Sequence, residues 1–304
     1  MMAAHQPVMV ASVMQLLSPR PGARIIDATL GLGGHAEIIL QAIGPQGRLI
    51  GVDRDPEMLH RAGERLRGQA GAVKLVHARF SSVSDVAPDL EPCDGILMDL
   101  GLCSAQLDAP ERGFSFSPDD LSAPLDMRMD RRCGETAAEL LDRVDEVELT
   151  ARLREGDVPA ARRVARALLE ARPLHTVQEL NTVLARLPRS RRRHHPATLV
   201  YQALRLAVND ELDELDRALE RAVELLVPGG RLVLIAYHSG EDRRVKRFLA
   251  REERGCICPP DLPRCGCGRS PRLKTLTRVL RPGPDELLRN PRARSARLRG
   301  AERR

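Results

Sequence analysis

The sequence predicts an α/β fold: a parallel sheet covered by helices on both faces and interrupted by a helical insertion. Three observations carry this expectation. Short β-branched runs alternate with helix-length runs through the first hundred residues or so. A further apolar strand, Arg231–Tyr237, appears only much later. Between them, from Gly101 onward, lie about a hundred residues with helical stretches and no evident strand.

The elements follow in order. Ala23–Leu30 (ARIIDATL) reads as a first strand running into glycines, and Arg48–Asp53 (RLIGVD) as a second, followed by a helix over 56–66. Val73–Ala78 and Gly95–Leu100 supply two more strands at similar spacing. Their near-continuous apolar character suits a sheet buried on both faces. Helical stretches at Ala160–Ala171 and Val177–Leu187 belong to the insertion. A long helix over Ala207–Leu226 sets Leu212, Leu215, Leu219, Val223 and Leu226 on one face, and Pro228-Gly229-Gly230 stops it. The expected domains are 1–110 with 206–304 for the sheet, and 111–205 for the helical insertion. Part of the Arg- and Pro-rich tail after Gly268 is expected to order only on RNA. No internal repeat is evident.

Composition narrows the classes. The chain has 304 residues, 42% of them hydrophobic and 30% charged, which suits a folded globular protein. No run approaches the ~18 apolar residues of a membrane span, and no charged start precedes an apolar stretch at the N-terminus. A soluble cytoplasmic protein with no membrane partner is expected. The net charge of +6 is unevenly spread: residues 1–150 sum to −9, 151–200 to +7, 201–267 to −1 and 268–304 to +9. Clustered arginine on an otherwise acidic chain is the footprint of a polyanion binder. Seven cysteines without a secretory start argue against a complete disulfide framework.

The segment Asp27-Ala28-Thr29-Leu30-Gly31-Leu32-Gly33-Gly34-His35 joins the first strand to a helix, where glycines let a ligand approach the backbone and helix N–H groups. Asp53 ends the next strand, placed to accept ribose hydroxyls. NAD and S-adenosylmethionine both fit this layout. Asp27 favours the second, because a carboxylate opposes a pyrophosphate and suits a cationic amino-acid group.

Several ordered segments then resemble one family, the ribosomal RNA small subunit methyltransferase H family. They include Gly31-Leu32-Gly33-Gly34-His35, Val52-Asp53-Arg54-Asp55-Pro56, Asp94–Gly101, Glu111–Phe116, Pro124–Asp130, His195-Pro196-Ala197-Thr198, Tyr201–Arg205, Val208-Asn209, His238-Ser239 and Asn290–Ser295. The resemblance runs colinearly from His5 to the C-terminus. It implies a Rossmann-like class I S-adenosylmethionine-dependent methyltransferase acting on N4 of a cytidine in the decoding region of 16S rRNA, tuning the ribosomal P-site region. Its cofactor site maps onto Gly33, Gly34, His35, Asp53, Phe80, Asp99 and Gln106. The small ribosomal subunit is the implied partner, and a homodimer is compatible with the resemblance. The chain departs from the family pattern at Cys103-Ser104-Ala105, at Leu199 and at Ala236-Tyr237-His238-Ser239-Gly240, positions bordering the expected base pocket.

The N4 lone pair of cytosine is delocalised into the ring, so the enzyme must orient the amine and accept a proton. Asp99 and His238 are the expected acceptors, with Asp242 as an alternative. Asp242 and Glu241 serve equally well as caps of a helix starting near Gly240. Tyr237 and Phe116 are candidates to hold an unstacked base, or core residues. Arg186, Arg189, Arg191, Arg192, Arg193, His194 and His195, with Arg292, Arg294, Arg297 and Arg299, are expected to contact phosphates. No metal is assigned to the reaction. Cys256-x-Cys258 and Cys265-x-Cys267 suit either structural zinc or free thiols, and free thiols are preferred. Two other classes compete: a methyltransferase for another RNA or DNA, and a non-catalytic ribosome-assembly factor.

Overall fold

The structure is a computed structural model describing residues 7–69, 71–86, 92–117, 120–187, 196–256, 258–259, 264 and 266–304. Two compact units divide it: Met1–Gly101 with Glu214–Arg304, and Leu102–Asp213. The sequence placed the corresponding joints at 110/111 and 205/206.

Following the chain, the first unit begins with α1 (Val10–Leu17), β1 (Arg24–Asp27), α2 (Gly34–Ile43), β2 (Arg48–Asp53) and α3 (Pro56–Leu66). It continues with β3 (Ala72–His77), α4 (Val83–Val86) and β4 (Cys93–Asp99). The second unit holds α5 (Ser104–Leu107), α6 (Ala137–Arg143), α7 (Glu146–Glu155), α8 (Ala161–Glu170), α9 (Val177–Ala185) and α10 (Pro196–Asn209). The chain returns through α11 (Glu211–Leu225) to β5 (Leu226–Ala236), α12 (Ser239–Arg254), β6 (Leu273–Thr275), α13 (Pro284–Arg289) and β7 (Arg297–Arg303).

The sheet order is β3-β2-β1-β4-β5-β7-β6. Strands β1 to β5 pair in parallel, and β7 runs antiparallel between β5 and β6. Alternate side chains of each strand feed opposite cores, as the two-residue strand period requires. Ile26, Ile50, Ile96 and Leu234 meet Leu215, Leu219 and Val223 of α11 and Val245 and Phe248 of α12 on one face. Ile25, Leu49, Leu97 and Val233 meet α1, α2 and α3 on the other. Full burial of each such aliphatic side chain contributes about 1.5–3 kcal/mol, so both faces must be covered for this sheet to persist.

The second unit has its own core, drawn from all the helices α6 to α10. Several residues of the family-like segments act structurally there. Arg112 is 2% exposed and donates through Nη2 to the carbonyls of Arg128 (3.2 Å) and Met129 (2.8 Å). Gly113 sits at φ +69°, where a Cβ would lie 2.4 Å from the Pro124 carbonyl oxygen, so only glycine fits. The buried Asn209 accepts from Met129 N (2.8 Å) and donates to Met127 O (2.7 Å).

The structure differs from the sequence expectation in three places. The helix expected over 207–226 is two helices, broken at Asp210, which adopts a left-handed φ of +52° that helical periodicity does not reveal. Strand β5 starts at Leu226, so Pro228-Gly229-Gly230 lies inside the strand span, next to a register shift against β4. The tail after Gly268, part of which was expected to order only on RNA, supplies β6, α13 and β7. Arg297 and Arg299, expected on phosphates, donate to Asp242 at 2.9 and 2.8 Å. Among the described residues no helix is long and apolar enough to cross a membrane.

Candidate active site

Three parallel strands end in aspartate at the same edge of the sheet: Asp27 on β1, Asp53 on β2 and Asp99 on β4. The carboxyl edge of an open parallel sheet is the usual ligand crevice. The turn after β1 closes it, with Gly31 at φ +53° and Gly33 at φ +74°. Gly33 is also the N-cap residue of α2. A glycine there allows the left-handed conformation and leaves the first N–H groups of α2 open to an anion.

Asp53 is held by two backbone donors, Gly31 N (2.7 Å) and Asp55 N (2.8 Å). Burial nevertheless pushes its carboxyl up to about 6. Asp27 is 1% exposed and accepts from Thr29 N at 3.2 Å. Burial pushes it to about 7, against the pull of His35. Asp99 accepts a 2.8 Å hydrogen bond from the Tyr237 hydroxyl, and its own N–H donates to Thr29 Oγ1 at 2.6 Å. Burial raises Asp99 to about 7, the Tyr237 bond works against that rise, and Glu241 adds to it. His35 Nε2 donates to the Val8 carbonyl at 2.8 Å, and Nδ1 lies 3.7 Å from Asp99 Oδ2. Burial lowers the His35 pKa, so the neutral ring is favoured.

Burial is the leading influence on all three, opposed by His35 at Asp27, by the Asp55 and Gly31 amides and Arg54 at Asp53, and by the Tyr237 hydroxyl at Asp99. Asp27 is buried and Asp53 and Asp99 are half-buried, and the loss of water around each raises its pKa. Such a crevice suits a ligand that brings positive charge. S-adenosylmethionine fits it: a sulfonium and an ammonium for Asp27 and Asp99, a ribose for Asp53, and a carboxylate for the α2 N-terminus.

The first unit therefore brings Gly33, Gly34, His35, Asp53 and Asp99 together around this edge. Phe80 follows β3, 6% exposed, as part of the core. Gln106 belongs to the second unit, where its Oε1 accepts from Cys103 N at 3.0 Å and caps α5. His238 is the N-cap residue of α12: its Nδ1 accepts from Gly240 N (3.1 Å) and Glu241 N (3.4 Å), and its Nε2 lies 3.1 Å from Glu241 Oε1. The side chain expected as a second proton acceptor is thus engaged in fixing a helix start. Glu241 completes the cap by accepting from Tyr237 N (2.9 Å) and His238 N (3.2 Å). Asp242 is held below the usual carboxylate range by Arg299 and Arg297, despite opposing burial, and so is a weak base.

Sequence reasoning missed Thr29 as the group fixing the Asp99 backbone, and assigned Tyr237 to base stacking or core. The available signal was chemical: Tyr237 places a hydroxyl directly after β5. Tyr237→Phe removes the bond that lowers the Asp99 pKa. The acid limb of the single-turnover methyl-transfer profile should therefore move to higher pH, and an unmoved limb would show that the hydroxyl does not tune Asp99.

Of the expected phosphate-contacting arginines in the 186–195 run, only Arg186 lies within the described residues; Arg189, Arg191, Arg192, Arg193, His194 and His195 lie outside them. A different basic concavity, of about 570 Å³, opens along α8 and is lined by Arg154, Arg162, Arg163 and Arg166 with Val158 and Ala160. Glu146 pairs with Arg162 and Arg166.

The sequence matches the MraW methylase family over residues 2–304. It is 47% identical over 307 residues to the ribosomal RNA small subunit methyltransferase H of Thermomicrobium roseum, covering 98% of this chain and 93% of that one. The protein of the same name from Geobacter sulfurreducens is 48% identical over 309 residues, covering 98% of each chain. That of Dehalococcoides mccartyi (strain BAV1) is 46% identical, covering 98% of this chain and 86% of its own. The chain belongs to the MraW methylase family and is an S-adenosylmethionine-dependent methyltransferase.

Proposed function

We propose that this protein transfers a methyl group to the exocyclic N4 of a cytidine in the decoding region of 16S rRNA, tuning the ribosomal P-site region in the cytoplasm. The observation that carries the reading is the acidic crevice at the sheet edge, with Asp99 fixed at the end of β4 by Thr29 and Tyr237. The names of the full-length relatives support small-subunit rRNA as the substrate class.

S-adenosylmethionine, when bound, supplies an electrophilic methyl on a sulfonium. The chain's own residues do the rest. Asp27 and Asp99 offset the positive charge of the cofactor, and Asp53 accepts from the ribose. Asp99 then accepts hydrogen from the amine, which raises electron density on N4, and removes the proton that becomes acidic once the methyl is attached. A carboxyl near 7 is matched to this work at neutral pH. Tyr237 keeps one Asp99 oxygen engaged and so fixes the orientation of the other. Positioning of the amine against the methyl supplies much of the remaining acceleration. The cytosine must leave its stack first. Phe116, 38% exposed and 5.2 Å from the Tyr201 ring, offers an aromatic surface in the second unit. Arg154 of α7 and Arg163 of α8 provide positive charge for phosphate there.

The test is transfer of labelled methyl to unmethylated small ribosomal subunits, followed by digestion to nucleosides. The expected product is N4-methylcytidine at one position, with RNA affinity that falls steeply with salt. An Arg154→Glu, Arg163→Glu chain should bind more weakly and with a flatter salt dependence. Label on another base would assign a different substrate, and no label on any RNA would point to a non-catalytic assembly role.

A further inference from the structure

The segment joining α12 to β6 carries four cysteines, Cys256-x-Cys258 and Cys265-x-Cys267, for which the methyl transfer has no use. Its base is firmly fastened. Gly255, at φ +72°, lies so close to the returning chain that a Cβ would sit 2.4 Å from Pro271 N. Glu252, 1% exposed, takes Arg251, Arg269 and Arg272 as ion-pair partners, and its carbonyl accepts from Arg272 N at 2.9 Å. Between these anchors the described residues form neither helix nor strand.

The Sγ atoms of Cys256, Cys258 and Cys267 all lie within 4.8 Å of one another, and those of Cys256 and Cys267 are 3.9 Å apart. None of the three is in a disulfide, which would bring two sulfurs to about 2.0 Å. Tetrahedral zinc at about 2.3 Å from each sulfur requires the sulfurs to stand about 3.8 Å apart. The observed spacing therefore suits a shared ion better than a bond between any two of them. The donor set is all sulfur, which selects zinc over the hard cations magnesium and calcium.

We infer that Cys256, Cys258 and Cys267 bind a structural zinc ion that closes the segment between α12 and β6. On binding, each thiol releases its proton to solvent and coordinates as a thiolate. Cys265 lies outside the described residues. The ion's task is to fix the C-terminal end of α12, the helix whose other end carries the His238 cap next to Tyr237. It takes no part in methyl transfer.

The experiment uses the full-length protein, produced with zinc in the medium and purified under reducing conditions without chelator. Elemental analysis should find about one zinc per chain. Replacement by cobalt(II) should give the sulfur-to-cobalt charge-transfer bands and intense visible bands of a tetrahedral thiolate site. Cys256→Ser and Cys267→Ser should each lose the metal, while Cys133→Ser, at an exposed position of the second unit, should retain it. If the serine variants do not fold, the cobalt spectrum of the unmutated chain decides alone. Zinc-free protein without cobalt–thiolate bands would overturn the inference. So would a Cys256–Cys267 disulfide in protein trapped directly from cells.

Discussion

Asp99→Asn should lower single-turnover methyl transfer by about 10²–10⁴-fold, the usual contribution of a positioned general base. Asparagine can still accept from the Tyr237 hydroxyl, so the local geometry survives while the basic oxygen is lost. The partner experiment is His238→Asn. Asparagine is among the best N-cap residues and can take over the Gly240 and Glu241 amides, so transfer should stay within a few-fold of the unmutated rate. His238→Ala, which removes the cap, should cost about 1 kcal/mol of stability. Rapid-quench assays and thermal unfolding separate these outcomes. If His238→Asn were as inactive as Asp99→Asn, the imidazole would have to be restored to the reaction.

The second large effect is on stability. Burial is the main cause that pushes Asp27 in the folded chain up to about 7, well above the usual carboxylate range. A raised carboxyl favours the protonated form of the folded state. Its contribution is fully present below the unfolded value and is lost as pH rises through the folded one. Above pH 7 the ionised Asp27 is therefore a standing penalty on the cofactor-free protein. The shift sets an upper bound of ~4 kcal/mol, and relaxation around the charge brings the expected effect to roughly 1–3 kcal/mol. Asp27→Asn, which keeps an acceptor for Thr29 N, should raise the melting temperature at pH 8 by several degrees, with the difference vanishing in acid. The same variant should bind S-adenosylmethionine more weakly. A melting temperature at pH 8 that is unchanged or lower would contradict a buried, uncompensated charge.

The strands and the glycine turn were legible because their signals are local: apolar runs, a Gly-rich turn after β1, and aspartates at the ends of β1, β2 and β4. Asp53 could be placed from its position at the end of β2, and Asp99 came from the family resemblance, consistent with its place at the end of β4. What could not be read depends on contacts distant in sequence. Tyr237 meets Asp99 across 138 residues, and Thr29 fixes the same aspartate across 70. The Arg-rich tail looked like a disordered RNA arm because charge composition dominated its pattern. Its strand is revealed only by pairing with β5, and two of its arginines are matched to Asp242 on another element. His238 looked catalytic because a histidine after a strand reads the same whether it serves as a base or as a cap. Its two amide donors give it the capping role, and the His238→Asn variant tests the other.

The central claim is that the sheet edge is an acidic crevice completed by a cationic cofactor. Titration calorimetry of S-adenosylmethionine binding, repeated in buffers of different ionisation enthalpy, tests it most directly. Asp27 and Asp99 near 7 and Asp53 near 6 are partly protonated in the free protein at neutral pH. A bound cation favours their ionised forms, so binding should release protons near pH 7 and strengthen between pH ~6 and pH ~7.5, below the titration of the cofactor's own α-amino group. Buffer-independent enthalpy at pH 7, or proton uptake on binding, would contradict the account.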